Sequence, residues 1–325
     1  MTSGRVEPNR PEPSGRTTAP PHVTILMATC NGARYLPEQL ASFLTQSHRN
    51  WSLWVSDDGS TDATLAILTR FAQDHPDHPL TILNGPQRGA ALNFLSLLCH
   101  PNGPEGYVAL SDQDDVWLPG KLARALQWLE PIGQDHPAAY GARTHLADEA
   151  LNVYGLSPLH RRPAGFHNAV VQNILGGNST VLNPGAVALL RHAGIPEGIA
   201  FHDWWIYLLI SGAGGTVLID PEPVLIYRQH HANMLGTNAG MAAFARRFGQ
   251  VFGRNYRHWQ LGNIAALSRI AGQLSPLNRA KLLAYSQSCG RSGPGHALNL
   301  WKLGFRRQTA LGTALILLAA CVGRL

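Results

Sequence analysis

The chain has 325 residues, enough to bury one large core or one catalytic domain with an appendage. Apolar content of 45% with interspersed Gly and Pro excludes a disordered or fibrous protein, and charged residues, at 14%, fall below the soluble average, a hint of a surface that rests against something greasy. The net charge of +6 is almost wholly arginine, since Lys121, Lys281 and Lys302 are the only lysines.

Residues 1–21 are rich in Pro, Ser, Thr and Gly, and such a stretch cannot bury enough surface to offset its ordering entropy, so it is expected to be a disordered tail. The apolar run Val23 to Ala28 predicts a strand buried on both faces, followed by a turn at Asn31-Gly32 and a helix from Leu36 to Gln46. Trp51 to Ser56 predicts a second strand, ended by Asp57-Asp58-Gly59-Ser60, with Ser60 as N-cap of a helix from Asp62 to Asp74. A strand at Leu80 to Leu83 and a helix at Ala90 to Cys99 come next. The strand Tyr107 to Leu110 then runs into Ser111-Asp112-Gln113-Asp114-Asp115, ahead of a helix at Lys121 to Leu129.

This alternation is that of an α/β fold, a mostly parallel sheet flanked by helices. In such sheets ligands sit beyond the carboxyl ends of the strands, where the polar clusters 29–31, 57–60 and 112–115 all fall. Residues 138–230 lose the clean rhythm and carry more short strands and loops, and from about 240 the chain is helical and basic. Cys30, Cys99, Cys289 and Cys321 form no CxxC pair and no secretory signal precedes them, so a reduced cytosolic chain is expected.

Asp112, Asp114 and Asp115 repel one another, and a structure keeps three such carboxylates together with a compensating cation. Hard oxygen ligands point to Mg2+ or Mn2+. A solvated acidic loop capping the following helix is the alternative. In Asp57-Asp58-Gly59-Ser60-Thr61-Asp62 one carboxylate is placed to accept from a base N–H, although the segment also suits a plain helix start. Arginine's planar fork suits phosphate-bearing partners, and with no nucleic-acid motif in the chain a phosphorylated substrate or an anionic membrane fits better than nucleic acid.

Three ordered segments carry a resemblance: Val23 to Gly32, Val55 to Asp62, and Leu110 to Trp117. Together they resemble family 2 glycosyltransferases, and Ser111-Asp112-Gln113-Asp114-Asp115 with Trp117, preceded by Arg88 to Phe94, is similar to the rhamnosyltransferase-like branch. The resemblance covers about residues 22–236 and implies the GT-A fold, Rossmann-like, with 237–325 as a helical, basic C-terminal extension. It implies an inverting enzyme that uses a nucleoside-diphosphate sugar: dTDP-L-rhamnose, or otherwise a UDP- or dTDP-hexose. The acceptor it implies is a cell-surface glycan or its lipid-linked precursor.

Residue by residue, the resemblance sets Thr29 and Asn31 near base and ribose, and Asp58, with Asp57, against the nucleobase. It sets Arg88 near the diphosphate or the base. Asp112 and Asp114 match the DxD positions, with Asp114 the metal contact and Asp115 beside them. Cys30 stands where an aromatic residue is common. Asp203, in His202-Asp203-Trp204-Trp205, matches the catalytic base, with a helix N-cap as its alternative role. Trp204 and Trp205 are candidates to stack on a sugar face or to belong to the core. Gly177 and Asn178 match a loop below the donor sugar. His230 matches a metal ligand and Arg228 a phosphate partner, with His231 in place of the usual glycine.

The apolar stretch Ala310 to Val322, flanked by Arg306, Arg307 and Arg324, spans only about 20 Å as a helix, short of the roughly 30 Å hydrocarbon core. It is expected to lie at a membrane surface, as a peripheral protein on the inner face of the plasma membrane, or to pack on the domain. Two rivals stand beside the transferase: a sugar nucleotidyltransferase, which usually carries a Gly-rich basic loop where Ala28 to Gly32 stands, and a catalytically silent nucleotide-sugar-binding module.

Overall fold

The computed structural model describes residues 20–230, 254–288 and 293–325. All but the last two residues of the expected tail, together with His231 and Cys289, lie outside the described residues.

The sheet has nine strands: β1 Val23–Thr29, β2 Trp51–Asp57, β3 Leu80–Asn84, β4 Tyr107–Ser111, β5 Val116–Trp117, β6 Ala138–Ala147, β7 Val153–Leu156, β8 Val181–Leu182 and β9 Thr216–Arg228. Their order is β3-β2-β1-β4-β8-β6-β9-β5, with β7 pairing β6. The helices are α1 Leu36–Leu44, α2 Thr64–Asp74, α3 Ala90–Leu98, α4 Lys121–Leu129, α5 Phe166–Ala169, α6 Pro184–Ala193, α7 His202–Gly212, α8 Arg254–Arg269, α9 Pro276–Ser286, α10 Pro294–Lys302 and α11 Ala310–Cys321.

From β3 to β4 every pair is parallel, as the alternation predicts. Beyond β4 the pairing turns mixed: β8 runs antiparallel to β4 and to β6, and β6 and β9 are parallel to each other. The stretch expected to carry more short strands and loops thus holds two long strands, β6 and β9, beside the short β7 and β8. The irregularity there comes from Pro221 and Pro223, which cannot donate to a ladder, and the β6–β9 register shifts beside them.

Strand β1 shows why the first run is apolar throughout. Val23, Ile25 and Met27 enter the core under α1, α2 and α4, while Leu26 on the opposite face joins the core under α3, α6 and α7. Full burial of each such side chain contributes roughly 1.5–3 kcal/mol. Helix α2 begins at Thr64, with Ala63 as its N-cap and no side-chain cap, because Ser60 Oγ accepts from the Asn31 N–H instead; the Asp62 carboxylate accepts from the Thr64 and Ala33 N–H groups at 3.0 Å each.

The C-terminal helices share the second of these cores. Leu267, Tyr285, Leu300, Phe305 and Ile316 belong to the same buried cluster as Phe94 and Trp205. Tyr256 donates to the Val171 carbonyl at 2.7 Å, and Asn168 donates to the Arg306 carbonyl at 3.0 Å, so the extension is pinned to the 166–172 segment. Helix α11 buries Ile316, Ala319 and Ala320 and leaves Leu311, Leu318 and Val322 exposed. Among the described residues no helix is long and apolar enough to cross a membrane.

Candidate functional site

The carboxyl ends of β1, β2 and β4 meet around a hydrogen-bonded floor. Gln113 fastens it: its Oε1 accepts from the Cys30 N–H at 2.9 Å and its Nε2 donates to the Cys30 carbonyl at 3.1 Å. A Cβ at position 32 would lie 2.2 Å from Gln113 Oε1, so a larger residue there would push the Gln113 amide off Cys30. Asn31, at φ 49°, accepts from the Thr61 N–H at 2.8 Å and donates through its backbone to Ser60 Oγ at 2.8 Å.

The two carboxylates at the end of β2 divide their tasks. Asp57 is 5% exposed and closes its own turn by accepting from the Ser60 N–H at 2.9 Å. Asp58 accepts from the Gln87 N–H at 2.5 Å and the Gly89 N–H at 3.1 Å, so it builds the loop that carries Arg88 into solvent. Thr29 is buried, and its hydroxyl has no partner among the described residues.

Past β4 the acidic cluster forms as the spacing predicts. One carboxylate oxygen each from Asp112, Asp114 and Asp115 lies within 4.8 Å of the others. Asp115 is fully buried and both its oxygens are taken, by Asn178 Nδ2 at 2.7 Å and the Arg228 N–H at 3.3 Å. Asp114 pairs with His230 Nε2 at 2.7 Å. The Asp112 carboxylate has no hydrogen-bond donor among the described residues. Burial, then repulsion from Asp114 and Asp203, pushes it up to about 7, with Lys121 pulling the other way. Burial, then repulsion from Asp114 and Asp112, holds Asp115 well above the usual carboxylate range.

Lys121 is the residue that sequence reasoning missed. It is completely buried, donates to the Asn178 carbonyl at 2.6 Å, and lies 3.2 Å from the centre of the Trp117 ring. Burial holds its ammonium well below the ordinary lysine range, against the opposing pull of Asp115 and Asp112. A signal existed: a cation in the first turn of α4 opposes the helix dipole, so it needs a local reason to be there.

Asp203 stands in the first turn of α7, accepting from the Gly177 N–H at 3.3 Å and the Trp204 N–H at 2.7 Å. It thus lies beside the 177–179 turn that also supplies Asn178 to Asp115 and Lys121. The absent side chain at Gly177 is explained by His202, whose Nε2 would be 2.6 Å from a Cβ there. The His202 ring stacks on Phe94 at 4.1 Å.

Three expected site residues are not brought to this opening. Trp204 is 4% exposed and donates to the Ala169 carbonyl at 2.7 Å, and Trp205 is 1% exposed, so both belong to the core rather than to a sugar platform. Arg228, 2% exposed, spends its guanidinium on Glu38 and on the Asp114 and Glu149 carbonyls, and it sits 4.6 Å from the Tyr35 ring. A buried guanidinium must satisfy its donors within the protein, and this one does so instead of reaching toward a phosphate. Tyr35 also stacks on His230 at 5.0 Å, which helps to hold the end of β9 over Asp114.

Whether the open donors suit a divalent cation follows from their chemistry. Asp112 and Asp114 at the end of β4 and His230 just past the end of β9 offer two carboxylates and an imidazole, and Asp112 has no protein donor among the described residues, which leaves it wanting a cation. This set fits Mn2+ or Mg2+.

Residues 24–174 match the model of the family described as Glycosyl transferase family 2. The chain is 28% identical over 240 residues to the dTDP-rhamnosyl transferase RfbG of Shigella flexneri, covering 71% of this chain and 81% of that one. Among solved structures it is similar to the mannosyltransferase PcManGT of Pyrobaculum calidifontis in complex with GDP-Man and Mn2+ (TM-score 0.51, 21% identity, 94% of this chain and 88% of that one). It is also similar to S. aureus TarS 1–349 in complex with UDP-GlcNAc (TM-score 0.52, 13% identity, 87% and 90%). At these identities the two structures speak to the fold, which is GT-A.

Proposed function

We propose that this member of glycosyl transferase family 2 is an inverting, metal-dependent enzyme that moves a sugar from a nucleoside diphosphate to an acceptor hydroxyl. The observation that carries the reading is that two separate acidic groups converge on the 177–179 turn. The 112–115 cluster comes from the end of β4 and Asp203 from the start of α7, near enough for Asp203 to raise the Asp112 carboxyl.

Asp112 and Asp114, with His230, would hold Mn2+ or Mg2+. Bound there, the ion neutralises charge on the leaving diphosphate. Asp58 acts on the nucleotide through the 86–89 loop it organises, with Arg88 carried on that loop and Asn31 across from it. Asp203 takes the proton from the acceptor hydroxyl as its oxygen attacks the anomeric carbon, on the face opposite the departing diphosphate. Its two backbone donors hold the carboxylate in place for that task. Gly177 and Asn178 form the surface between the two halves of the reaction. Lys121 and Asp115 hold the cluster from behind.

The donor is dTDP-L-rhamnose, a choice supported by the likeness to the Shigella flexneri enzyme, and the acceptor is a surface glycan or its lipid-linked precursor. The protein works at the cytoplasmic face of a membrane, to which α10 and α11 present Trp301, Leu311, Leu318 and Val322 beside Lys302, Arg306 and Arg307.

The test is release of nucleoside diphosphate from dTDP-rhamnose and from UDP-hexoses in the presence of Mn2+, for wild type and Asp203→Asn. Loss of a general base lowers turnover by about 10²–10⁴ while leaving dTDP affinity in place. Equal turnover by the variant would remove Asp203 from the reaction, and no release from any donor by the wild type would contradict the transferase itself.

A further inference from the structure

Beside Asp203 the structure has a cavity of about 230 Å³ that meets the site at Gly176, Asn178 and Asp203. Among the described residues, none of Asp58, Asp112 or Asp114 lines it, so it is distinct from the strand-end opening where the acidic cluster lies. Its size suits one small ring rather than a drug-sized ligand, for which pockets of about 300 Å³ and more are usual. One wall, with Ile174, Leu175, Ile219 and Tyr227, is apolar and aromatic, which suits the carbon face of a sugar.

The lining also includes Arg143. Its Nε donates to the Ser157 carbonyl at 2.8 Å, so the guanidinium is pinned in place. Arg34, Arg70, Arg124, Arg228 and Arg269 each pair with a carboxylate, but Arg143 has no ion-pair partner among the described residues. Among the described residues Asp203 is the only carboxylate lining the cavity, and His160 adds a second basic side chain. A half-buried, immobilised and unpaired guanidinium presents two NH2 groups in a fixed fork, which matches a carboxylate or a phosphate.

We infer that this cavity is the acceptor subsite and that it takes a single sugar ring bearing an anionic group, held by Arg143 while a ring hydroxyl faces Asp203. The inference rests on the transferase reading above and names its acceptor class. The anion has two chemical sources, a carboxylate on a uronic acid or a phosphate ester at the anomeric end of a lipid-linked sugar.

The test is calorimetric titration of the full chain, preloaded with Mn2+ and a nucleoside diphosphate, with three probes of the same ring: a methyl hexoside, the hexuronate and the hexose 1-phosphate. A charge-assisted bond to a fixed guanidinium should make one anionic probe bind about tenfold or more tighter than the neutral one. The probe that gains identifies the source. Arg143→Gln should erase the preference while leaving nucleotide binding and the melting temperature unchanged, and Arg143→Lys should restore part of it. Equal binding of all three probes, a preference that survives Arg143→Gln, or no probe binding to nucleotide-loaded protein each overturns the inference and leaves the donor site standing. Failure of the nucleotide itself to bind counts against the transferase reading instead; the probes are then titrated onto the protein alone and judged by the same criteria.

Discussion

Replacing Lys121 with methionine keeps most of the buried stem and removes the charge together with its hydrogen bond to the Asn178 carbonyl. In the structure the Lys121 ammonium donates to the Asn178 carbonyl at 2.6 Å and sits 3.2 Å from the Trp117 ring centre, next to Asp112 and Asp115. A charged hydrogen bond contributes roughly 1.5–3 kcal/mol and a desolvated cation–π contact about 2 kcal/mol, set against the cost of burying the charge. Removing one side of a buried charge network costs about 3–5 kcal/mol, because the remaining carboxylates are left uncompensated. The carboxylates can answer by binding protons, so the loss should reach that range near pH 8 and shrink near about pH 5. Urea unfolding of the metal-free protein, followed by tryptophan fluorescence at both pH values, reads the difference. A loss below about 1 kcal/mol near pH 8, or one equal at both pH values, would refute the role assigned to Lys121.

Asp112 sets the pH behaviour of the metal-free protein. Its folded carboxyl is pushed up to about 7, above the ordinary value of about 3.9, so its contribution to stability is fully present below about pH 4 and is lost as pH rises through 7. The melting temperature without metal should therefore fall over that window, and the gain on adding Mn2+ should grow from about pH 6 to 8; a Mn2+ gain that is flat with pH contradicts this. Tyr35→Leu removes the ring stacked on His230 and Arg228 and should weaken Mn2+ binding by about tenfold, whereas Tyr35→Phe should leave it unchanged, as read by Mn2+ titration. Exchanging Trp301 and Leu318 for serine should abolish co-flotation with anionic lipid vesicles without lowering the melting temperature, since both side chains are at least half exposed. Undiminished flotation would argue against this face as the membrane contact.

The parallel half of the sheet was legible because β1, β2 and β4 are short apolar runs that end abruptly in polar residues. Each of those ends contributes to the strand-end opening described above. Strands β6 and β9 were harder to see, since Gly141, Pro221 and Pro223 interrupt their pattern and the ladder shifts register around the prolines. Residue types named the carboxylates but not their division of labour. Whether Asp57 or Asp58 turns inward depends on the path of the 58–60 turn, and whether Arg228 faces a ligand depends on Glu38 and Tyr35, which are close only in the folded chain. Trp204 and Trp205 looked equally apt for a core or a sugar face, and the tight packing of α7 against the 166–175 segment decided for the core. The staple made by Gln113 gave no signal beyond its position inside the acidic cluster.

The central claim is a metal-dependent nucleotide site at the ends of β1, β2 and β4. The most direct test is calorimetric binding of dTDP, UDP, GDP and CDP, with and without Mn2+, to wild type and Asp114→Ala. dTDP or UDP should bind in the presence of Mn2+, and this binding should disappear in the variant. Absence of binding by every nucleoside diphosphate, or binding untouched by both Mn2+ and Asp114→Ala, would contradict it.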